Sequence, residues 1–232
     1  MPGGAIAEIA GGMTVFAGAE SPLTQAVGVG LYGPVPGAEL DRLEAFFRSR
    51  GAPVSIDLCP LADPGFVSEL AARRYRPAEF NNVLVRTLPA MALPGTPRVR
   101  CASAGEGDLW SATVGQGFFE TASLTPEEMD VGRAIFAMPG ALFYLASAET
   151  GEPVGGAALA LHGGVAILFA DGVVPGARRR GLHAGLIAAR LQEASARNCD
   201  LAAATAAPGS GSQRNYERLG FQVAYTKVTL VR

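Results

Sequence analysis

The sequence is poor in several residue types that would indicate particular functions. It contains three cysteines and two histidines, and Lys227 is its single lysine. Cys59, Cys101 and Cys199 are dispersed and odd in number, so they fit neither a metal-ligand spacing nor a disulfide framework. A reducing cytoplasm is therefore the expected compartment. Because Lys227 lies in the last predicted strand, a P-loop nucleotide-binding enzyme is excluded.

Long apolar runs and an excess of charge are also missing. No apolar run reaches the roughly 18 residues that a membrane span needs, and Ala134 to Ala146 is interrupted by Pro139-Gly140. Met1 to Met13 lacks the basic residues that begin a signal peptide. The formal net charge of −2 argues against general nucleic-acid binding. With 49% hydrophobic and 17% charged residues, we expect a folded protein without membrane or nucleic-acid partners.

The second half of the chain shows a regular succession of predicted elements. Thr125-Pro126-Glu127-Glu128 is typical of a helix start, with Thr125 as the N-cap. The pattern β-α-α-β-β-β-α-β-α-β predicts an α+β fold, a mixed sheet with helices on both faces. The expected elements are Val99–Ala102, Asp108–Phe119, Thr125–Met138, Leu142–Ser147, Pro153–His162, Val165–Val174, Gly181–Asn198, Leu201–Ala206, Gly211–Leu219 and Phe221–Arg232.

A proline-rich, uncharged segment from Leu88 to Pro97 predicts a linker between two halves, residues 1–90 and 98–232. The halves share sequence features. Tyr75 to Arg86 matches Phe221 to Arg232 without a gap, and Gly33 to Ala38 matches Gly172 to Ala177. These matches indicate an internal repeat, with coincidence between two similar units as the alternative.

Gly28-Val29-Gly30-Leu31-Tyr32-Gly33 has the spacing of a dinucleotide-binding fingerprint. In such a site the third glycine should lie at a helix start. Pro34-Val35-Pro36 follows instead, and the helix is expected only near Ala38. A glycine-rich strand and turn is the better interpretation.

The segment Val173 to Ala184 has the features of an anion site. A strand end and Pro175 lead into three arginines, a glycine and a helix. The first N–H groups of a helix have no partner within the helix and lie at the positive end of its dipole, where phosphates bind. Gly181 leaves room for close approach, and the arginines can add charge-assisted hydrogen bonds. A solvated basic surface is the alternative for such a loop taken alone.

Two motifs give this half a resemblance to a known family. Val173-x-Pro175-x-x-Arg178-x-x-Gly181 resembles the cofactor loop of the GNAT superfamily of N-acetyltransferases, and Tyr216-Glu217-Arg218-Leu219-Gly220-Phe221 resembles a later family motif. The resemblance covers about residues 98–232 and implies the acyl-CoA N-acyltransferase fold, here as a pseudo-tandem pair. Under the repeat, Glu39 and Asp41 replace Arg178 and Arg180, so the first half resembles a degenerate domain without a cofactor site. Its expected task is to wall one side of the substrate cleft.

The resemblance implies acetyl-CoA as co-substrate and no metal. Two positions depart from the family pattern. His183 occupies the second small position of the loop, and Gly209 stands where the family often has asparagine, so Ser210 or Ser212 is expected to supply a replacement hydrogen bond. The predicted cofactor-binding residues are Val173, Val174, Arg178, Arg179, Arg180, Gly181, Leu182, His183, Ala184 and Ser210.

The resemblance also implies a direct transfer. A neutral amine attacks the thioester, and a backbone N–H near Val173-Val174 stabilises the oxyanion. Tyr216 lies where the family places the general acid, with packing on the sheet as the alternative. Asp171 is the predicted base. A strand-end turn role for Asp171, a bound water and the weaker candidate His162 remain open.

These features predict an acetyl-CoA-dependent N-acetyltransferase that acts on a primary amine of a small molecule or peptide, as a monomer or homodimer. A non-catalytic module that binds acyl-CoA or another ligand is the alternative.

Overall fold

The computed structural model describes residues 4–88 and 98–232. They form two compact units. The first contains the chain up to Asn82 together with Tyr225–Arg232, and the second contains Val83–Ala224. Of the predicted linker Leu88 to Pro97, all but Leu88 lies outside the described residues. The division differs from the expected halves at the C-terminal end, because Val228–Val231 pair antiparallel with Ser55–Leu58.

The first unit is a sheet with two helices. The β1–β2 and β2–β3 pairs are antiparallel, and β3 runs parallel to β4. The first helix buries Leu40, Leu43 and Phe47 completely, so one face of it packs into the core of this unit. The elements are β1 Ala5–Ile9, β2 Gly12–Phe16, β3 Gln25–Val27, α1 Gly37–Arg48, β4 Ser55–Leu58, α2 Pro64–Ala72 and β5 Arg76–Thr87, whose last residues belong to the second unit.

The second unit has the predicted order of elements. Three of its strands have the bounds that the sequence indicates, and each helix differs from its prediction by two residues or fewer at either end. The mixed α+β fold is confirmed. The elements are β6 Val99–Cys101, α3 Gly107–Phe118, α4 Pro126–Phe136, β7 Leu142–Ser147, β8 Pro153–His162, β9 Val165–Val173, α5 Leu182–Ala196, β10 Leu201–Ala206, α6 Gly211–Arg218 and β11 Gln222–Val231, whose residues from Tyr225 onward belong to the first unit.

The sheet of the second unit lies between α3 on one face and α5 on the other. Its strands follow the order β10-β9-β8-β7-β6, in which only β9 and β10 are parallel. Successive side chains of β8 point to opposite faces of the sheet, as the two-residue period of a strand requires. Ala158 joins the cluster around Trp110 of α3, whereas Leu159 joins the larger cluster around Leu186 of α5.

The start of α4 follows the predicted capping. The Thr125 hydroxyl accepts a hydrogen bond from the Glu128 N–H at 3.2 Å, and the Glu128 carboxylate accepts one from the Thr125 N–H at 2.8 Å. Pro126 occupies the first helical position. This capping box confirms Thr125 as the N-cap.

A bulge interrupts β9 three residues before its end. Gly156 of β8 faces Gly172, whereas Ala158 faces Phe169, so β9 contains one residue more than its partner between these pairs. The extra residue bends a strand and redirects the side chains beside it. Ala170 adopts a left-handed conformation there, with φ of 53°. The bulge sets the direction of Asp171.

The two units share an order of elements where the sequence matches lie. The first contains β3-α1-β4-α2-β5 and the second β9-α5-β10-α6-β11. The acids that replace the loop arginines have local partners. Glu39 pairs with Arg42 at 2.6 Å, and Asp41 pairs with Arg73 at 2.5 Å. A common origin of the units stays a prediction.

The glycine-rich segment Gly28–Gly33 follows β3 as a turn, and α1 begins four residues later at Gly37. No helix starts within that segment, as the interpretation of a strand and turn requires. The spacing of a dinucleotide-binding fingerprint is therefore present without its strand-to-helix turn.

Close packing between α3 and β9 depends on Gly172. A methyl group there would lie 2.5 Å from the Val114 carbonyl oxygen, whereas one at Gly176 would meet no atom within 4 Å. We expect Gly172→Ala to lower the free energy of unfolding by about 1–3 kcal/mol, because the helix must move away from the strand.

Chemical denaturation measures this change, with Gly176→Ala as the matched control. Equal stability of the two variants would contradict the tight contact between α3 and β9.

Candidate active site

The loop between β9 and α5 exposes an uncapped helix start. After Val173 a short 3-10 turn spans Pro175–Ala177, and Arg179 and Gly181 then adopt left-handed conformations with φ of 62° and 77°. Gly181 is the N-cap of α5 and offers no side-chain acceptor to the first turn. The first intrahelical bond joins the Gly185 N–H to the Gly181 carbonyl. The N–H groups of residues 182–184 are therefore available to a ligand.

A cavity of about 770 Å³ opens at this helix start. Its volume lies within the range of small-molecule and cofactor sites. Most of the predicted site residues line it, including Asp171, Val173 and the loop from Arg178 to Ala184 except Arg180. Its other lining residues are Gly117, Glu120, Ala177, Gly211, Ser212, Asn215 and Arg218.

The three loop arginines have different surroundings. Arg178 donates to Glu120 at 2.6 Å, to the Gly117 carbonyl at 2.9 Å and to the Val173 carbonyl at 3.1 Å. It therefore ties the end of α3 to the end of β9. Arg179 lines the cavity and forms no ion pair with any residue that the structure describes. Arg180 is outside the lining set.

Ser210 and Ser212, the two candidates for the hydrogen bond expected beside Gly209, lie in different positions. The Ser210 hydroxyl caps α6 by accepting from the Gln213 N–H at 3.1 Å, whereas Ser212 lines the cavity. At the end of β9, Val174 donates its N–H to the Val154 carbonyl at 2.9 Å. Of the two residues expected to supply the oxyanion donor, Val173 lines the cavity.

Asp171 is held as a carboxylate by a buried arginine. Arg190 is fully buried and donates to Asp171 Oδ1 and to the carbonyls of Ala158, at 3.0 Å, and Leu186, at 3.0 Å. Tyr216 donates its hydroxyl to Asp171 Oδ2. Burial alone would raise the pKa of Asp171, but the Arg190 charge, the nearby His183 ring and the hydrogen bond from Tyr216 lower it to about 2.

Tyr216, the predicted general acid, is fully buried and does not line the cavity. Its ring packs edge-on against Phe221, and its hydroxyl hydrogen is used by Asp171. Burial, together with the negative charge of Asp171, raises its pKa well above the ordinary tyrosine value. The ring therefore has the packed environment that was given as the alternative to the acid role. The acid role stays a prediction.

The His183 ring is held between Tyr216 and Asn215. The ring lies edge-on to Tyr216 at 5.7 Å between centroids, and its Nδ1 lies 2.9 Å from Asn215 Nδ2. Nε2 lies 3.7 Å from Asp171 Oδ1 and is buried without a hydrogen-bond partner. The weaker candidate His162 lies at the exposed end of β8, outside the cavity lining.

Sequence reasoning missed Asn215 and Arg218 as lining residues. They stand three residues apart on α6, where the Arg218 guanidinium donates to Asn215 Oδ1 at 3.0 Å. They lie one residue before and two residues after the buried Tyr216 on the same helix, so helical spacing around the motif tyrosine could have indicated them.

Comparison with known protein families shows that residues 113–221 match the model described as Acetyltransferase (GNAT) family. These residues form a GNAT-family acetyltransferase domain. Every residue lining the cavity lies within this domain. No match was found among curated proteins. The predicted resemblance of the second half to the GNAT superfamily is confirmed.

Solved GNAT structures share the fold of the chain. A GCN5-related N-acetyltransferase from Kribbella flavida is 22% identical with a TM-score of 0.71, over 98% of this chain and 89% of that one. A GCN5-related N-acetyltransferase from Sphaerobacter thermophilus is 17% identical with a TM-score of 0.62, over 84% and 66%. A tandem GNAT protein from the clavulanic acid biosynthesis pathway is 15% identical with a TM-score of 0.62, over 84% and 68%.

The helices can also be examined for the length and hydropathy of a membrane span. Within residues 4–88 and 98–232, no helix combines the length and the hydropathy that crossing a membrane would require.

Asp171→Asn should destabilise the protein by about 3–5 kcal/mol, because the buried Arg190 charge loses its counterion. The dependence of the protein's stability on pH should change as well. Since the pKa of Asp171 is about 2 in the folded protein and roughly 3.9 when unfolded, its contribution is complete above pH ~4 and is lost as the pH falls towards 2.

Urea unfolding at several pH values measures both effects. Glu193→Gln, which removes an acid from an exposed pair with Arg197, is the control and should leave stability nearly unchanged. If the stability of Asp171→Asn fell at low pH as much as that of the wild type, this carboxylate would not be held in the way described.

Proposed function

We propose that the protein is an acetyl-CoA-dependent N-acetyltransferase that transfers an acetyl group to a primary amine of a small molecule or peptide. The observation that carries this proposal is the cavity at the uncapped start of α5, lined by the loop from Arg178 to Ala184 within a GNAT domain. A carbonyl-activating site and an anion site are combined there. The acceptor and the state of assembly, monomer or homodimer, are parts of the proposal.

The cofactor phosphates are assigned to the helix start. The free N–H groups of Leu182, His183 and Ala184 point along the positive end of the α5 dipole. Arg179 and Arg218 line the same cavity and form no ion pair within the described residues, so their charge is available to a pyrophosphate. The negative lining residues Glu120 and Asp171 are each paired with an arginine.

The acyl group is assigned to the end of the cavity near β9. Asp171, Val173 and Gly117 line that end, where the bulge and the close approach of α3 shape the wall. A neutral amine attacks the thioester carbonyl, and a backbone N–H at Val173 is the proposed donor to the oxyanion. The C–S bond then breaks and the thiolate takes up a proton.

A non-catalytic acyl-CoA-binding module is the second candidate. It is favoured by the positions of the predicted acid and base, because Tyr216 is fully buried and Asp171 is tied to Arg190. The same cavity and loop would then bind the cofactor without turnover. Release of free thiol from acetyl-CoA in the presence of a broad panel of primary amines distinguishes the candidates.

Arg179→Gln should weaken the binding of acetyl-CoA by about 10- to 100-fold, the loss expected for one charge-assisted hydrogen bond of ~1.5–3 kcal/mol. Arg180→Gln is the matched control, because it removes the same charge one residue away from the cavity lining. Its effect should be several-fold smaller. Isothermal titration calorimetry with acetyl-CoA measures both.

Two results would count against the proposal. Equal affinities of the two variants would remove Arg179 from the phosphate site. Binding of acetyl-CoA without thiol release by any amine would favour the non-catalytic module over the enzyme.

A further inference from the structure

Proton transfer at the reacting end of the cavity has three titratable candidates other than arginine among the described lining residues, namely Glu120, Asp171 and His183. Glu120 is exposed and paired with Arg178. Asp171 already accepts hydrogen bonds from Arg190 and Tyr216, so it is a weak base. Histidine is the side chain that exchanges a proton most readily near neutral pH.

The partners of His183 determine which of its nitrogens carries hydrogen. Arg218 donates to Asn215 Oδ1, so the amide NH₂ of Asn215 is the group that faces His183 Nδ1. Nδ1 must then be an acceptor. Nε2 then bears the hydrogen and lies 3.7 Å from Asp171 Oδ1, beyond hydrogen-bond distance. The neutral imidazole is therefore fixed with its basic lone pair on Nδ1.

This arrangement resembles an orienting carboxylate behind a catalytic imidazole. Asp171 is itself immobilised by the fully buried Arg190 and by Tyr216, which limits its freedom to rotate away. A proton gained at Nδ1 would make an imidazolium whose charge is stabilised by Asp171. His183 and Asn215 both line the cavity, and 16% of the His183 side chain is exposed.

We propose that His183, oriented by Asp171 and Asn215, carries the proton during acetyl transfer, first as base and then as acid. This inference rests on the proposed acetyltransferase function. As the amine nitrogen bonds to the carbonyl carbon, its N–H proton passes to His183 Nδ1. When the C–S bond breaks, the imidazolium returns that proton to the thiolate, so amide and free thiol are formed and the imidazole is neutral again.

Protonation at Nδ1 has a structural consequence at Asn215. A ring N–H would face the amide NH₂, and the amide must turn to present Oδ1 to the ring. Oδ1 then leaves Arg218, which also lines the cavity. The charged and polar groups around the ring are Asp171 from β9, Tyr216 and Asn215 from α6, and, one contact further, Arg190 and Arg218.

A spectroscopic test uses the fact that the chain has two histidines, His162 and His183. Long-range ¹H–¹⁵N correlation spectra of the histidine-labelled protein, assigned with His183→Gln, report the neutral tautomer of each ring. We expect hydrogen on Nε2 of His183 in the wild type and loss of that fixed tautomer in Asn215→Ala. A neutral ring with hydrogen on Nδ1 would overturn the proposal.

A kinetic test uses the amine that gives the fastest thiol release. His183→Gln should lower kcat by about 100-fold or more, the usual contribution of a positioned acid–base group, and should remove the acidic limb of the kcat–pH profile. The affinity for acetyl-CoA should change less than threefold. His162→Gln is the control and should match the wild type.

The outcomes separate this proposal from the proposed function. If His183→Gln keeps the wild-type rate and pH profile, His183 does not carry the proton and the acetyltransferase function stands. If Tyr216→Phe, and not His183→Gln, removes the acidic limb, the tyrosine has that role. If the wild type binds acetyl-CoA without releasing thiol, the proposed function itself fails and this inference fails with it.

Discussion

The buried ion pair between Arg190 of α5 and Asp171 of β9 is the constraint on which the site depends. Both partners are fixed from several directions, since Arg190 also donates to the carbonyls of Ala158 and Leu186. A buried pair of this kind is costly to desolvate, and it is retained only where its geometry and hydrogen bonds are good. The bulge at Ala170 places Asp171 where the pair can form. The helix start, the bulged strand and Tyr216 are thereby held in one arrangement.

The three arginines of the basic loop have different surroundings. Arg178 is used to hold the loop against α3, Arg179 lines the cavity, and Arg180 is outside it. Three adjacent arginines therefore contribute differently although they are equivalent in charge. In the proposed phosphate site, the attraction for an anion would come mainly from the open N–H groups of α5 and from Arg179 and Arg218, because the other lining charges are neutralised by neighbours.

Much of the fold could be predicted because local chemistry specifies it. The capping residues around Thr125, the glycine before α5 and the period-two strands gave the elements of the second unit and nearly their bounds. The pairing of the C-terminal residues with β4 could not be predicted, since it depends on long-range register. A match of Phe221–Arg232 to Tyr75–Arg86 shows that two strands are alike but not which strand each one pairs with.

The parts of the candidate site that backbone geometry forms could be predicted from the sequence. The parts that depend on contacts between side chains could be predicted less well. The open start of α5 follows from the glycine after the arginines. The environment of Asp171 does not, because it depends on a left-handed alanine, a residue type that gives no sequence signal for a bulge. The surroundings of Tyr216 and His183 likewise depend on partners distant in the sequence, which are Asp171 for the Tyr216 hydroxyl and Asn215 for the His183 ring.

The central claim, that the start of α5 binds the phosphates of coenzyme A, is tested most directly by mapping backbone amide shifts during titration with coenzyme A and, separately, with pantetheine. Coenzyme A should shift the amide resonances of residues 179–184 strongly, because its pyrophosphate accepts their hydrogen bonds. Pantetheine, which lacks phosphate, should leave them nearly unmoved. Equal shifts with both compounds, or shifts by coenzyme A confined to other parts of the chain, would contradict the assignment.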